Sequence, residues 1–205
     1  MPDHAANGWN IPQWGLVRRE IGAQCAPVLA GVKPSNILIS RQADSDVVEQ
    51  CLLGTGIRCR LLYRDEEKGY WLLYRSGLLA RLLAKDSCRV FLREYGYKEP
   101  SLDADLERLQ NRFCLYQRKE TDFPHEMGVF LGYPLADVKG FIRHKGQNYL
   151  YAGYWKVYEN EAEARSLFQI YASVKAFTVH ELEQGKMFWQ IVVMFPKLYE
   201  KECIK

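Results

Sequence analysis

The sequence predicts one α/β or α+β domain: a mixed or antiparallel sheet flanked by helices, built partly from a strand–helix unit that occurs twice. Three observations predict it. Ile57-Arg-Cys-Arg-Leu-Leu-Tyr63 alternates as a strand does, Arg64 to Gly69 is a polar turn, and Tyr70-Trp-Leu-Leu-Tyr74 returns, so a hairpin is expected. Ser101 to about Tyr116 carries apolar residues at amphipathic helical spacing. Finally, Gly69-Tyr-Trp-Leu-Leu-Tyr74 and Gly153-Tyr-Trp-Lys-Val-Tyr158 share four of six residues at an offset of 84. At the same offset Ala80, Arg81, Leu83 and Gly56 meet Ala164, Arg165, Leu167 and Gly140. Either aromatic-rich strands coincide by chance, or an α/β unit is duplicated with both halves in one sheet.

In chain order, residues 1–15 read as an irregular leader containing Trp9 and Trp14, and residues 16–205 as the domain, with pseudo-repeats over about 20–100 and 120–185. Val17 to about Gly31 reads as helical but interrupted at Pro27, so that Cys25-Ala-Pro27 marks a helix start. Pro34-Ser-Asn36 opens a second element. Asp44-Ser-Asp46 caps a helix from Val47 to Leu53 that ends at Gly54-Thr-Gly56. After the hairpin, Ser76 caps a Leu-rich helix, and Cys88 to Tyr95 forms another. Pro124 starts a helix closed at Gly132, and Pro134 a second closed at Gly146. Asn148 to Tyr158 is strand-like. Glu159 to Val174 is a helix with acids in its first turn, where they suit the macrodipole. Phe188 to Phe195 is β-rich and reads as a final strand.

Composition narrows the function. With 28 basic and 25 acidic residues the net charge is +3, which leaves no overall footprint for nucleic acid or an anionic membrane. The longest apolar run, Trp189 to Phe195 with Gln190 inside it, is too short to span a bilayer. The first twenty residues carry no secretory signal, and the six cysteines include no C-x-x-C pair. Reduced thiols in a cytoplasmic setting are therefore expected. The four histidines lack i, i+4 pairing and no cluster has zinc-like spacing, so no metal site is expected.

The chain resembles an uncharacterised bacterial family, a domain of unknown function. The residues that carry the likeness are Cys25-Ala-Pro-x-Leu-Ala-Gly31 with Lys33-Pro34, Phe123-Pro-His-Glu-x-Gly-x-Phe-Leu-Gly-Tyr-Pro134, Val138-Lys-Gly-Phe-Ile142, and the Gly146 to Tyr158 block. The likeness spans roughly residues 20–175, and Phe188 to Phe195 departs from it. Members often have a cysteine just before Gly-Tyr-Trp, where this chain has Ala152. The resemblance implies no activity. Members are sometimes encoded near flavodoxin-type redox proteins, which implies a redox or cofactor role.

Several constellations carry possible chemistry, each beside a plainer reading. Cys25 at a helix N-terminus would have a lowered thiol pKa, and His125 could pair with it as acid/base, with Glu126 or Asn36 as the orienting third group. Free cysteines, however, are usually small buried hydrophobes, and Pro124-His125-Glu126 also suits a purely structural first helical turn. Lys33 or Arg165 would hold an anionic group. Tyr154 and Trp155, with Tyr70 and Trp71, could stack on a planar cofactor such as flavin or haem, or simply build core. Glu126 to Ile142 has the outline of a helix-turn-helix, with Gly128 small where the helices cross, and Lys139, Arg143, His144 and Lys145 within reach of phosphates. The leading expectation is a cytoplasmic small-molecule or cofactor-handling protein with a Cys/His site. A binding or adaptor module for a redox partner comes second, and a DNA-binding regulator third.

Overall fold

The central strand of the sheet shows how the molecule is layered. In the computed structural model, which describes residues 11–41, 43–98 and 100–196, β3 (Gly69–Tyr74) lies between β1 (Ser35–Ser40) and β2 (Arg58–Arg64), antiparallel to both. Its side chains alternate with the two-residue period of a strand. Trp71 and Leu73 enter one apolar cluster, while Leu72 and Tyr74 enter another on the opposite face. Adjacent Leu61 and Leu62 of β2 point to opposite faces, Leu61 into the first cluster and Leu62 into the second, and the register shift between Leu61 and Tyr63 brings Tyr63 to the second as well. Helices cover both faces, which agrees with the predicted class.

On the first face lie α1 (Ile11–Leu29), α2 (Ser45–Leu52), the long α8 (Glu161–Glu183) and α9 (Phe188–Val192). Asp44 caps α2 as expected, its carboxylate accepting from the Val47 N–H at 2.9 Å. On the second face lie α3 (Ser76–Leu83), α4 (Asp86–Glu94), α5 (Leu102–Gln117), the single turn α6 (Met127–Phe130) and α7 (Leu135–Arg143). Ser76 is the first helical residue of α3 rather than its cap, a position held by Arg75.

Four expectations are corrected. Helix α1 begins by Ile11 and carries Cys25 near its end, so Cys25-Ala-Pro27 closes a helix instead of opening one, and residues 11–15 are helical. The rest of the leader, with Trp9, lies outside the described residues, as does Cys203. Proline is tolerated there because the chain turns immediately afterwards. The Pro27 carbonyl accepts from the N–H groups of Val32 and Lys33, and the Arg75 guanidinium donates to the carbonyls of Val28 and Leu29, both at 2.8 Å. Second, the β-rich tail is the helix α9. Its Phe188, Ile191 and the following Phe195 fall on one buried face, and Gln190 accepts from the Met187 N–H at 2.8 Å, so tertiary packing overrides composition.

Third, Asn148 to Tyr158 is not one strand but a small hairpin, β4 (Tyr151–Ala152) against β5 (Lys156–Val157), in a sheet of its own. The two Gly-Tyr-Trp segments therefore do not share a sheet, although each precedes a helix. Fourth, α8 extends nine residues beyond Val174, to Glu183. The hairpin packs through Trp155 and Val157 on Ala164, Phe168 and Tyr171 of α8, with Tyr133 at the edge. Among the described residues no helix is long and apolar enough to cross a membrane.

Candidate functional site

The Pro124-His125-Glu126 segment is wound by backbone bonds from Met127 to Pro124 (2.9 Å) and from Gly128 to His125 (3.1 Å). A corner follows between α6 and α7. Gly132 adopts a left-handed φ of 74°, and a Cβ there would lie 2.6 Å from Pro34 Cδ, so glycine lets the corner rest on the chain leaving α1. Gly128 serves the predicted crossing: a Cβ would sit 2.8 Å from Val138 Cγ2 of α7.

From this corner the two ionisable side chains go to different neighbours. Glu126 is fully buried and accepts from the Tyr97 hydroxyl at 3.1 Å and from the Arg112 guanidinium, whose Nη2 lies 3.3 Å from Oε2. Burial together with the Glu126 charge pushes the Tyr97 hydroxyl pKa up. His125 is only half-buried and lies between the rings of Phe123 and Phe141, at 5.5 and 5.3 Å. Glu126 therefore braces α5 and the segment around Tyr97; it does not orient His125.

His125 faces a half-open cavity of about 420 Å³. Its wall is mainly apolar: Phe123, Met127, Tyr133, Phe141 and Trp155 contribute most of it, and Gly128, Ala152 and Gly153 leave it room. The polar groups are His125, Asp137 and Lys156. Asp137, buried in the first turn of α7, accepts from the Trp155 indole N–H at 2.7 Å and from the backbone N–H groups of Tyr158 and Glu159 at 2.7 and 3.0 Å. Trp155 is thereby held edge-on to α7 while its face stacks on Tyr133, with centroids 5.0 Å apart. The Lys156 ammonium donates to the Gly146 carbonyl at 2.7 Å and sits 4.9 Å from the Tyr149 ring. The cavity thus has a rigid aromatic wall with a few polar groups at fixed places, the usual make-up of a small-molecule pocket.

Of the residues expected at a site, the structure brings His125 and Trp155 to this cavity and takes the others elsewhere. Cys25 is wholly buried in the cluster under α1, its thiol donating to the Ile37 carbonyl at 3.7 Å. Burial pushes its pKa up, only partly opposed by the nearby Lys33 charge. The helix-N-terminal environment on which a nucleophilic role rests is not there, and its neighbours are not those of His125. Asn36 accepts from the Val28 N–H at 3.2 Å and so fastens β1 to the end of α1. Lys33 is buried, 5.1 Å from the Tyr133 ring, and desolvation lowers its pKa to about 8. Arg165 lies on the outer face of α8, paired with Glu161 at 2.7 Å and 3.7 Å from the Tyr151 ring. Tyr154 is 40% exposed and packs on Phe168 and Tyr171.

Sequence reasoning missed Asp137, Phe141 and Lys156. Nothing in the sequence singled out Asp137, whose capture of a tryptophan eighteen positions on is a tertiary fact. A faint signal existed for Phe141: Asp137, Val138 and Phe141 recur at helical spacing and share one face of α7.

The family model of a protein of unknown function, DUF3793, matches residues 21–192. The chain belongs to this family. The DUF3793 match includes the whole cavity wall and stops at the end of α9. No curated protein and no solved structure matches the chain. Ala152, which occupies the position where the resemblance leads one to expect a cysteine, is part of the cavity wall.

Proposed function

We propose that the protein binds a small, flat, predominantly apolar molecule in the cavity beside His125. The observation that carries this reading is the aromatic wall itself, in which Tyr133 and Trp155 stack and Trp155 is fixed by Asp137. A ring system of two or three fused rings would gain by stacking there, and a cavity of about 420 Å³ is within the range of such sites. His125 and Lys156 supply the polar recognition: an imidazole that can donate or accept, and an ammonium that favours an anionic edge. Flavin and haem are both flat enough to serve as candidates. His125 is the wall group suited to donate or accept a proton. The free thiols of Cys25, Cys51, Cys59, Cys88 and Cys114 support a reducing, cytoplasmic setting.

The test is a titration of the purified chain with flavin mononucleotide, haem and the apolar dye anilinonaphthalene sulfonate, followed by absorbance and tryptophan emission. At least one should bind saturably. Ala152→Trp, which fills the cavity from a solvent-exposed strand position, should weaken that binding tenfold or more without lowering Tm. Absence of binding by all three, or binding indifferent to Ala152→Trp, would refute the reading.

A further inference from the structure

Helix α7 presents a second surface. Val138 and Phe141 face the aromatic cavity, whereas Lys139 and Arg143, one turn apart, lie on the opposite side of the helix. There they line a separate half-open cleft of about 630 Å³, together with His144, Ser87 from the first turn of α4, Asn148 and Tyr158. The His144 and Tyr158 rings are nearly parallel, 10° apart with centroids at 5.6 Å, which holds the imidazole against the cleft floor. The Tyr158 hydroxyl is shut off from solvent and has no hydrogen-bond partner among the described residues. Neither Lys139 nor Arg143 forms an ion pair with a described carboxylate, and Glu159 is the single acid in the cleft wall.

We propose that this cleft binds a phosphate-bearing small molecule. Two cations that pair with no described carboxylate, a histidine and the neutral donors Ser87 and Asn148 match a group that carries about two negative charges and several acceptor oxygens. Arg143 offers a planar fork for two of those oxygens, and Lys139 a point charge beside it. The cleft is concave and closed on one side by the loop that leads into β4, a shape suited to a compact ligand. A duplex would need a projecting recognition helix paired with a proper first helix, and α6 is a single turn of four residues. The site is independent of the aromatic cavity, so either assignment can fail alone.

Calorimetric titration of the full chain with inorganic pyrophosphate and with adenosine monophosphate, at constant ionic strength, tests it. Saturable binding with a Kd below about 1 mM is expected for at least one probe. Lys139→Ala and Arg143→Ala, both exposed on α7, should each weaken it about tenfold. Lys175→Ala on α8 and Ala152→Trp in the cavity should leave it unchanged. Failure of both probes to bind would overturn the proposal, as would binding that survives loss of Lys139 and Arg143. Salt-dependent duplex binding lost in the same two variants, with no competition by either probe, would overturn it in favour of a nucleic-acid surface.

Discussion

The Asp137 carboxylate accepts the Trp155 indole N–H at 2.7 Å and so ties helix α7 to the β4–β5 hairpin across one wall of the cavity. Its second oxygen accepts two backbone N–H groups from the residues that follow β5. One buried side chain thus fixes both the indole edge and the chain leading into α8, and the aromatic wall is preorganised before any ligand arrives.

Removing that carboxylate should loosen the wall. Asp137→Ala leaves three donors without their acceptor and should cost about 2–4 kcal/mol, visible as a lower Tm. Trp155 emission should shift to the red as its indole becomes wet. Asp137→Asn keeps one acceptor oxygen and should cost less. Equal stability of all three proteins would show that the contact does not organise the hairpin.

Adjacent residues of the Pro-His-Glu segment should behave very differently. Glu126→Ala strands the buried Tyr97 hydroxyl and the partly buried Arg112 guanidinium and should destabilise by about 2 kcal/mol. His125→Ala should cost under about 1 kcal/mol, because the imidazole is half-exposed and no hydrogen bond among the described residues holds it. Urea denaturation of the two variants separates these outcomes.

Lys33 links stability to pH. Its folded pKa, about 8, lies below the ordinary lysine value of 10.5, so the unfolded chain binds the proton more tightly. The penalty for carrying a buried charge is therefore fully present below pH 8 and fades as pH rises towards 10.5. Lys33→Met, similar in shape, should stabilise the protein by about 3 kcal/mol at pH 7 and hardly at all near pH 10.5. Taking the difference between the two proteins removes the opposing contribution of the cysteines, whose raised pKa values make the fold less stable at alkaline pH. A pH-independent difference would contradict this assignment.

The Cys25 thiol should be inert in the folded protein. Alkylation at pH 8 followed by peptide mass analysis should find Cys25 unmodified until denaturant is added, while the partly exposed Cys59 and Cys114 react. Rapid native labelling of Cys25 would mean that α1 opens far more readily than its packing implies.

Elements governed by local chemistry were legible in the sequence. The β2–β3 hairpin follows from alternation and a polar turn, α2 from its Asp44 cap, and α5 from a clean amphipathic pattern. What failed was decided by distant partners. Pro27 looked like a helix start because the sequence does not reveal that Arg75 and Asn36 secure the end of α1. The run from Phe188 to Phe195 reads as strand until Phe188 and Ile191 are seen buried against the first cluster. The site was half legible. The density of special residues around His125 and Trp155 pointed to two segments that line the cavity, where Asp137 and Phe141 stand beside them, whereas Cys25 was joined to them only by its motif.

Affinity measured for the tightest-binding flat probe in three proteins tests the location of the site most directly. Cys25→Ala should bind as the unmodified chain does, and His125→Ala should bind at least tenfold more weakly at equal folded fraction. Loss of binding in Cys25→Ala with retention in His125→Ala would contradict the aromatic cavity and return the chemistry to the thiol under α1.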